Sequence, residues 1–306
     1  MIQYLIIMLD DTSRSFCHYP DYKGPRNLIP LSTLRAGIVY AMKENLSLQF
    51  LYPDYQLPKE YIKAINKIDH IDIAANHDAD VVICDSIPPA DAMVDKTLVF
   101  RFTVDALASS IDSLCELLRT ALKVNVIITD MAPVSESSFL LYKNSLRKIA
   151  DAVTELIISG KIPQLNILTD RINLTAMNNC NAGWHCVTLA PDGCFYPCPA
   201  FYFKRIYSIG NLKDGVKAPN AQLFTLPYAP ICRKCDAFQC KRCVWKNYIE
   251  TGEVNIPSHE QCVISHLERN ASVQIIKSIN SRGFTWDVLP INETSYLDPI
   301  SLLDVC

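Results

Sequence analysis

The chain is predicted to be an α/β protein, with a mainly parallel sheet over residues 1–175 and an irregular, cysteine-rich segment after it. Three observations predict this. Short apolar runs alternate with amphipathic stretches through the first half, as in successive βα units. The periodicity fades near residue 176, where the turn signals Asp192-Gly193, Gly210-Asn211 and Asp214-Gly215 accumulate. Nine of the thirteen cysteines fall between Cys180 and Cys262, so any thiol chemistry is concentrated in the second half.

In chain order, strands are expected over 4–9, 46–52, 71–74, 81–84, 97–102, 124–129 and 165–169, each a short run rich in Ile, Val, Leu and Phe. Helical faces lie between them. Leu34, Ile38, Ala41 and Met42 share one, and Leu146, Ile149, Val153, Leu156 and Ile157 share another that Gly160 is placed to stop. Asp10, Asp54, Asp85, Asp130 and Asp170 stand at strand ends. Strand C-termini are where α/β proteins place ligand sites, but an aspartate there more often ends the strand and caps the next helix. A last helix is expected over roughly 266–280, followed by a polar tail ending at Cys306.

With 306 residues the chain can hold one large or two ordinary domains. Hydrophobic residues at 49% and charged residues at 20% are an ordinary globular balance, and a net charge of -3 argues against nucleic acid as a partner. The start, Met-Ile-Gln-Tyr-Leu-Ile-Ile-Met, lacks the basic and long apolar regions of a signal peptide. No apolar run approaches the roughly 20 residues that span a bilayer. A cytoplasmic protein with no membrane partner is expected. In a reducing compartment, clustered cysteines point to metal rather than to disulfides.

The clustered thiols read Cys180-x5-Cys186, Cys194-x3-Cys198, Cys232-x2-Cys235-x4-Cys240-x2-Cys243 and Cys262. Short loops bring such thiolates to one metal at little entropic cost. The run from Cys232 to Cys243 alone suits one structural zinc, which leaves five clustered cysteines unexplained. Two iron–sulfur clusters of four thiolates each use eight of the nine. Arg233, Lys234, Lys241 and Arg242 would offset the thiolate charge, and Trp184, Phe195, Tyr196, Phe201, Tyr202, Phe203 and Trp245 would exclude water, with either metal. Spacing by itself leaves the choice open.

The run Cys180-Asn-Ala-Gly-Trp-His-Cys186, then Asp192-Gly193-Cys-Phe-Tyr196-Pro197-Cys198, Ile209-Gly210-Asn211-Leu212 and the 232–262 group resembles a SPASM domain. That is the auxiliary-cluster domain of radical S-adenosylmethionine enzymes that modify peptides and proteins. The resemblance implies a partial (β/α)6 TIM-like barrel over 1–175, a SPASM-type iron–sulfur domain over 176–265 and a C-terminal helix and tail over 266–306. It also implies two [4Fe-4S] clusters, one held by Cys180, Cys186, Cys198 and Cys243, the other by Cys232, Cys235, Cys240 and Cys262. Cys194 has no counterpart in the family.

The first half departs from that family where the radical cluster would bind. A Cys-x3-Cys-x2-Cys motif belongs after the first strand, and here Ser13, Cys17 and Pro20 stand at its spacing. One cysteine cannot hold a cluster with an open iron, and Phe50-Leu-Tyr-Pro-Asp54 replaces the family's Gly-Gly-Glu-Pro. No S-adenosylmethionine-binding cluster is therefore expected. The chain is most similar to the CXXX-repeat peptide maturase family, on its opening Tyr-Leu-Ile-Ile-Met-Leu-Asp-Asp-Thr-Ser and its Pro-Ile-Cys-Arg-Lys-Cys-Asp-Ala-Phe-Gln-Cys-Lys-Arg-Cys block. The resemblance implies an accessory protein in the maturation of a cysteine-rich ribosomal precursor peptide, supporting a radical enzyme partner by electron transfer, substrate binding or scaffolding. The alternatives are an enzyme using Cys17 as nucleophile and His18 as base, and a zinc-stabilised binding module. Cys84 and Cys115 are expected in the core, and His185 is expected to be a polar neighbour of the thiols.

Overall fold

The computed structural model describes residues 2–130, 135–177 and 179–286. The first half runs β1 (Tyr4–Met8), α1 (Leu31–Glu44), β2 (Ser47–Leu51), α2 (Lys59–Ile65), β3 (Ile71–Ala74), β4 (Val81–Cys84), β5 (Thr97–Phe102), α3 (Val104–Ser109), α4 (Ile111–Leu117), β6 (Lys123–Ile128), α5 (Glu136–Ile158), β7 (Gln164–Leu165) and α6 (Thr169–Asn173). The cysteine-rich half adds β8 (Cys186–Leu189), β9 (Phe195–Tyr196), α7 (Pro199–Phe203), a small hairpin of β10 (Gly210–Asn211) and β11 (Gly215–Val216), α8 (Val244–Thr251) and α9 (His259–Ser281).

The sheet order is β7-β6-β5-β4-β3-β2-β1-β8-β9. Strands β1 to β7 are all parallel, as the alternating texture predicts. Alternate residues of β1 face opposite ways, since side chains alternate along a strand. Leu5 and Ile7 pack with α1 and α2 in one core, whereas Ile6 and Met8 pack with Phe201, Tyr202, Phe224 and Trp245 in another. A third core joins β5 and β6 to α3, α4, α5 and α9. The sheet thus carries helices on one face and the cysteine-rich segment against the strands near β1 on the other.

Four expectations need correction. The stretch 165–169 is not a full strand: Thr169 Oγ1 accepts from Leu165 N at 2.7 Å and closes a turn. Asn166 continues the ladder with its side chain, accepting from Val126 N at 2.8 Å and donating to Val126 O at 2.9 Å. Between β3 and β4 no helix intervenes. Ala74 pairs with Val82, so the two strands overlap only at their ends and a short link suffices. The last helix begins at His259, where the Ser258 side chain caps it by accepting from Gln261 N. The cysteine-rich segment, expected to be irregular, has a packed apolar core. Its strand β8 pairs in parallel with β1, from Tyr4↔Cys186 to Ile7↔Leu189.

Gly210 shows why glycine stands in the Ile-Gly-Asn segment. It has φ 135°, and a β-carbon there would collide with the carbonyl of Gly215. Gly210→Ala is expected to destabilise the chain by ~1–3 kcal/mol, the usual size of strain at such a position, read as a lowered midpoint of chemical denaturation.

Candidate metal centre

The eight cysteines that spacing and resemblance single out occupy loops and element ends. Cys180 precedes β8 and Cys186 opens it, while Cys198 and Cys243 stand at the N-caps of α7 and α8. Burial, then the neighbouring thiolates of Cys243 and Cys180, push the Cys198 thiol far up. Cys180 is raised by burial and next by Cys243. Cys186 is raised to about 12 by burial and by Cys180. A second neighbourhood forms around α9. Cys232 is pushed up to about 12 by burial, with Cys240 and Cys235 adding to it. Cys262, in the first turn of α9, is raised by burial and by Cys240, Cys232 and Cys235.

Burial opposes ionisation of these thiols, while the groups around them would favour thiolates bound to a metal. Backbone N–H groups two residues on donate to four of them: Ala182 to Cys180, Ala200 to Cys198, Ala237 to Cys235 at 3.4 Å, and Arg242 to Cys240 at 3.4 Å. Hydrogen bonds of this kind favour the anionic sulfur and surround metal-bound sulfurs. Arg242 adds a second sign. It is 2% exposed, and its Nε and Nη1 atoms have no hydrogen-bond partner. A guanidinium keeps its proton, so a buried one needs anions beside it. The ionisable groups that act on it are the thiols of Cys232, Cys180 and Cys240. As neutral thiols they would leave that cation uncompensated; as metal thiolates they would balance it. The donor set therefore fits iron–sulfur clusters or another thiolate-bound metal.

Residues of α9 that the sequence reading passed over complete the second neighbourhood. His266 Nε2 lies 3.5 Å from Cys235 Sγ, and Arg269 pairs with Asp236 at 3.1 Å beside it. Cys262, His266 and Arg269 are four and three residues apart, one helical stripe, and that spacing was the available signal. Glu268 accepts from Tyr142 Oη at 2.8 Å. Burial pushes its carboxyl up to about 7, against the pull of Tyr142 and Gln239. The folded chain therefore keeps a proton that the unfolded chain releases above the ordinary carboxylate range, near pH 4.5. Stability should fall as pH rises from there through about 7, by on the order of 3 kcal/mol, and stay level beyond. Denaturation at pH 5 and pH 8 should show this slope in the native chain and a clearly shallower one in Glu268→Gln.

A cavity of about 310 Å³ lies between the sheet and this segment, walled by Val99 and Ile128 and reached by Cys17, His18, Cys180, Cys243 and Glu268. Cys17 and His18 come from the loop after β1. Cys17 Sγ is 3.5 Å from His18 Nδ1, and both lie within 4.8 Å of the Cys243 Sγ. The hydrogen bond with Cys17 and then burial raise the Cys243 thiol. So the pair does face one another, and its third member is a thiol rather than a carboxylate. Ser13 is buried and donates to Leu51 O at 3.2 Å, while Pro20 is exposed. Arg14 ion-pairs with Asp54 at 2.6 Å and with Asp85 across the strand ends.

The other strand-end aspartates are also engaged within the fold. Asp10 accepts from Thr12 and Tyr55, Asp130 caps α3 through Val104 N, and Asp170 pairs with Lys123 and Lys241. Cys194 sits apart from both thiol neighbourhoods, beside Ser208, Asp192 and Arg205. Cys84 and Cys115 pack against the helical core. His185 stacks edge-on against Trp184 and accepts backbone bonds from Gln3 and Tyr4 through its carbonyl. Cys306 lies outside the described residues. No helix among the described residues is long and apolar enough to cross a membrane.

Set against known proteins, the chain matches no family model and no curated protein. Among solved structures it is similar to native anSMEcpe with bound AdoMet, at TM-score 0.59 and 11% identity over 91% of this chain and 100% of that one. Native anSMEcpe with bound AdoMet and Cp18Cys peptide matches at TM-score 0.59 and 12% identity, over 92% of this chain and 100% of that one. Streptococcus suis SuiB bound to precursor peptide SuiA is more distant, at TM-score 0.43 and 10% identity over 84% of this chain and 75% of that one. The class this defines is an α/β protein with the fold of anSMEcpe. Identities this low establish the fold alone.

Proposed function

We propose that the chain is an accessory iron–sulfur protein in the maturation of a ribosomally made, cysteine-rich peptide. In this reading the sheet is a degenerate partial (β/α)6 barrel, residues 176–265 are a SPASM-type domain, and an active radical enzyme is the partner. Cys180, Cys186, Cys198 and Cys243 hold one [4Fe-4S] cluster, and Cys232, Cys235, Cys240 and Cys262 hold the other. What supports this is that these thiols neighbour one another in two groups, with Cys17 also beside Cys243 in the first, and that N–H groups donate to sulfurs in each. One-electron transfer is the chemistry such clusters supply. The chain's own residues shield the first with Phe201 and Trp245 and offer the cavity beside Cys180 and Cys243 to a peptide side chain. Similarity to anSMEcpe, solved with a bound peptide, supports the peptide part of the reading.

Ser13 and Pro20 in place of cysteines, with Arg14 tied to Asp54 and Asp85, support the loss of a radical cluster. Anaerobic purification should give about eight irons and about eight sulfides per chain. Stoichiometric zinc without visible absorbance would overturn the cluster reading in favour of the binding module. The isolated chain should release no 5′-deoxyadenosine from S-adenosylmethionine under reducing conditions, and its production would overturn the accessory role. One contact favours a second reading, catalysis by Cys17 and His18, which are 3.5 Å apart at the cavity.

A further inference from the structure

The segment Cys240-Lys241-Arg242-Cys243 places only two residues between a thiol of one group and a thiol of the other. Arg242 is therefore fixed at their junction. Its backbone adopts φ 43°, a left-handed conformation that costs a non-glycine residue about 1 kcal/mol or more. The chain holds that conformation with the side chain fully enclosed, Nη2 donating to the carbonyl of Phe224. Nε and Nη1 remain without partners. Lys241 behaves differently, turning to Asp170 at 3.5 Å and remaining about one-third exposed.

We propose that Arg242 is a counter-ion shared by both metal centres, holding each at a higher reduction potential than it would have without that charge. This rests on the two-cluster reading above. Reduction adds negative charge, and a fixed buried cation stabilises the more negative state. Cys232 and Cys240 of one group and Cys180 of the other all lie within its electrostatic reach. One charge thus acts on both centres, so removing it must move both. Nε and Nη1 are the donors free to turn toward cluster sulfur.

The test is a redox titration of the anaerobically prepared full chain, with iron counted in parallel, for the native protein, Arg242→Gln, Arg242→Lys and Lys241→Gln. Arg242→Gln should keep about eight irons while both midpoints become more negative. At a fixed poise its reduced-to-oxidised ratio should fall about tenfold in each centre, ~59 mV for a one-electron couple. Arg242→Lys should stay near native, and Lys241→Gln should shift both centres much less. Total iron loss in Arg242→Gln with an intact Arg242→Lys also supports a shared charge. A shift in one centre only, no shift, loss of one centre only, or iron loss in both arginine variants would overturn the proposal. Failure of the two-cluster reading would appear separately, as zinc or a low iron count in the native chain.

Discussion

Cys198→Ala and Cys235→Ala are each expected to halve the iron bound by the chain, from about eight to about four atoms, with the double variant binding none. The two residues belong to different thiol neighbourhoods, the first beside Cys243 and Cys180, the second beside Cys232, Cys262 and His266. Among the described residues, the second neighbourhood offers the His266 imidazole, 3.5 Å from Cys235 Sγ, in place of a lost thiolate. In the first, Cys17 stands beside Cys243, so Cys198→Ala with Cys17→Ala is the stricter form of the experiment. Cys194→Ala should leave the iron count unchanged, because its side chain neighbours Ser208, Asp192 and Arg205. Iron and acid-labile sulfide analysis reads all of these. A uniform loss in every variant would mean one shared site instead of two.

Phe201→Ala should be among the most destabilising single substitutions, at roughly 3–5 kcal/mol for a fully enclosed phenylalanine. The ring is 0% exposed and meets Trp245 edge-on at 5.3 Å and Tyr207 at 5.5 Å. It follows directly after the segment of Cys198, whose sulfur its backbone N–H also approaches. Truncation would therefore open a cavity at the first thiol neighbourhood as well as weaken the fold. Denaturation should show a large drop in midpoint, with iron lost from that neighbourhood. A cost below about 1 kcal/mol would mean that metal, and not this aromatic core, organises the segment. Phe203→Ala, two residues on and only half-buried against Tyr19 and Tyr22, should cost less.

Much of the first half was legible because strand and helix periodicity report local burial. Residues 71–74, 81–84 and 97–102 form the strands that alternation predicts, and Gly160 stops α5 with φ 92°. The 165–169 stretch misled because Asn166 and Thr169 replace ladder bonds with side-chain bonds, which periodicity does not register. The start of α9 was readable from Ser258 and Glu260, a cap and an acidic first turn, but the cysteine-rich texture around Cys262 obscured it. His266, Glu268 and Arg269 were missed because they lie beyond the last clustered cysteine, though helical spacing from Cys262 leads to His266 and Arg269.

The sequence by itself determined the α/β class, the concentration of thiols after residue 176 and the lack of cysteine at positions 13 and 20. Those follow from residue identity and local spacing. Tertiary structure decided that β8 joins the main sheet beside β1, that Cys17 and His18 reach Cys243, and that Arg242 is enclosed between two groups of thiols. Each of these joins residues far apart in the chain. Such contacts depend on which apolar faces meet when strands and loops close. A short pattern fixes which face is apolar, but only the packed chain selects its partner.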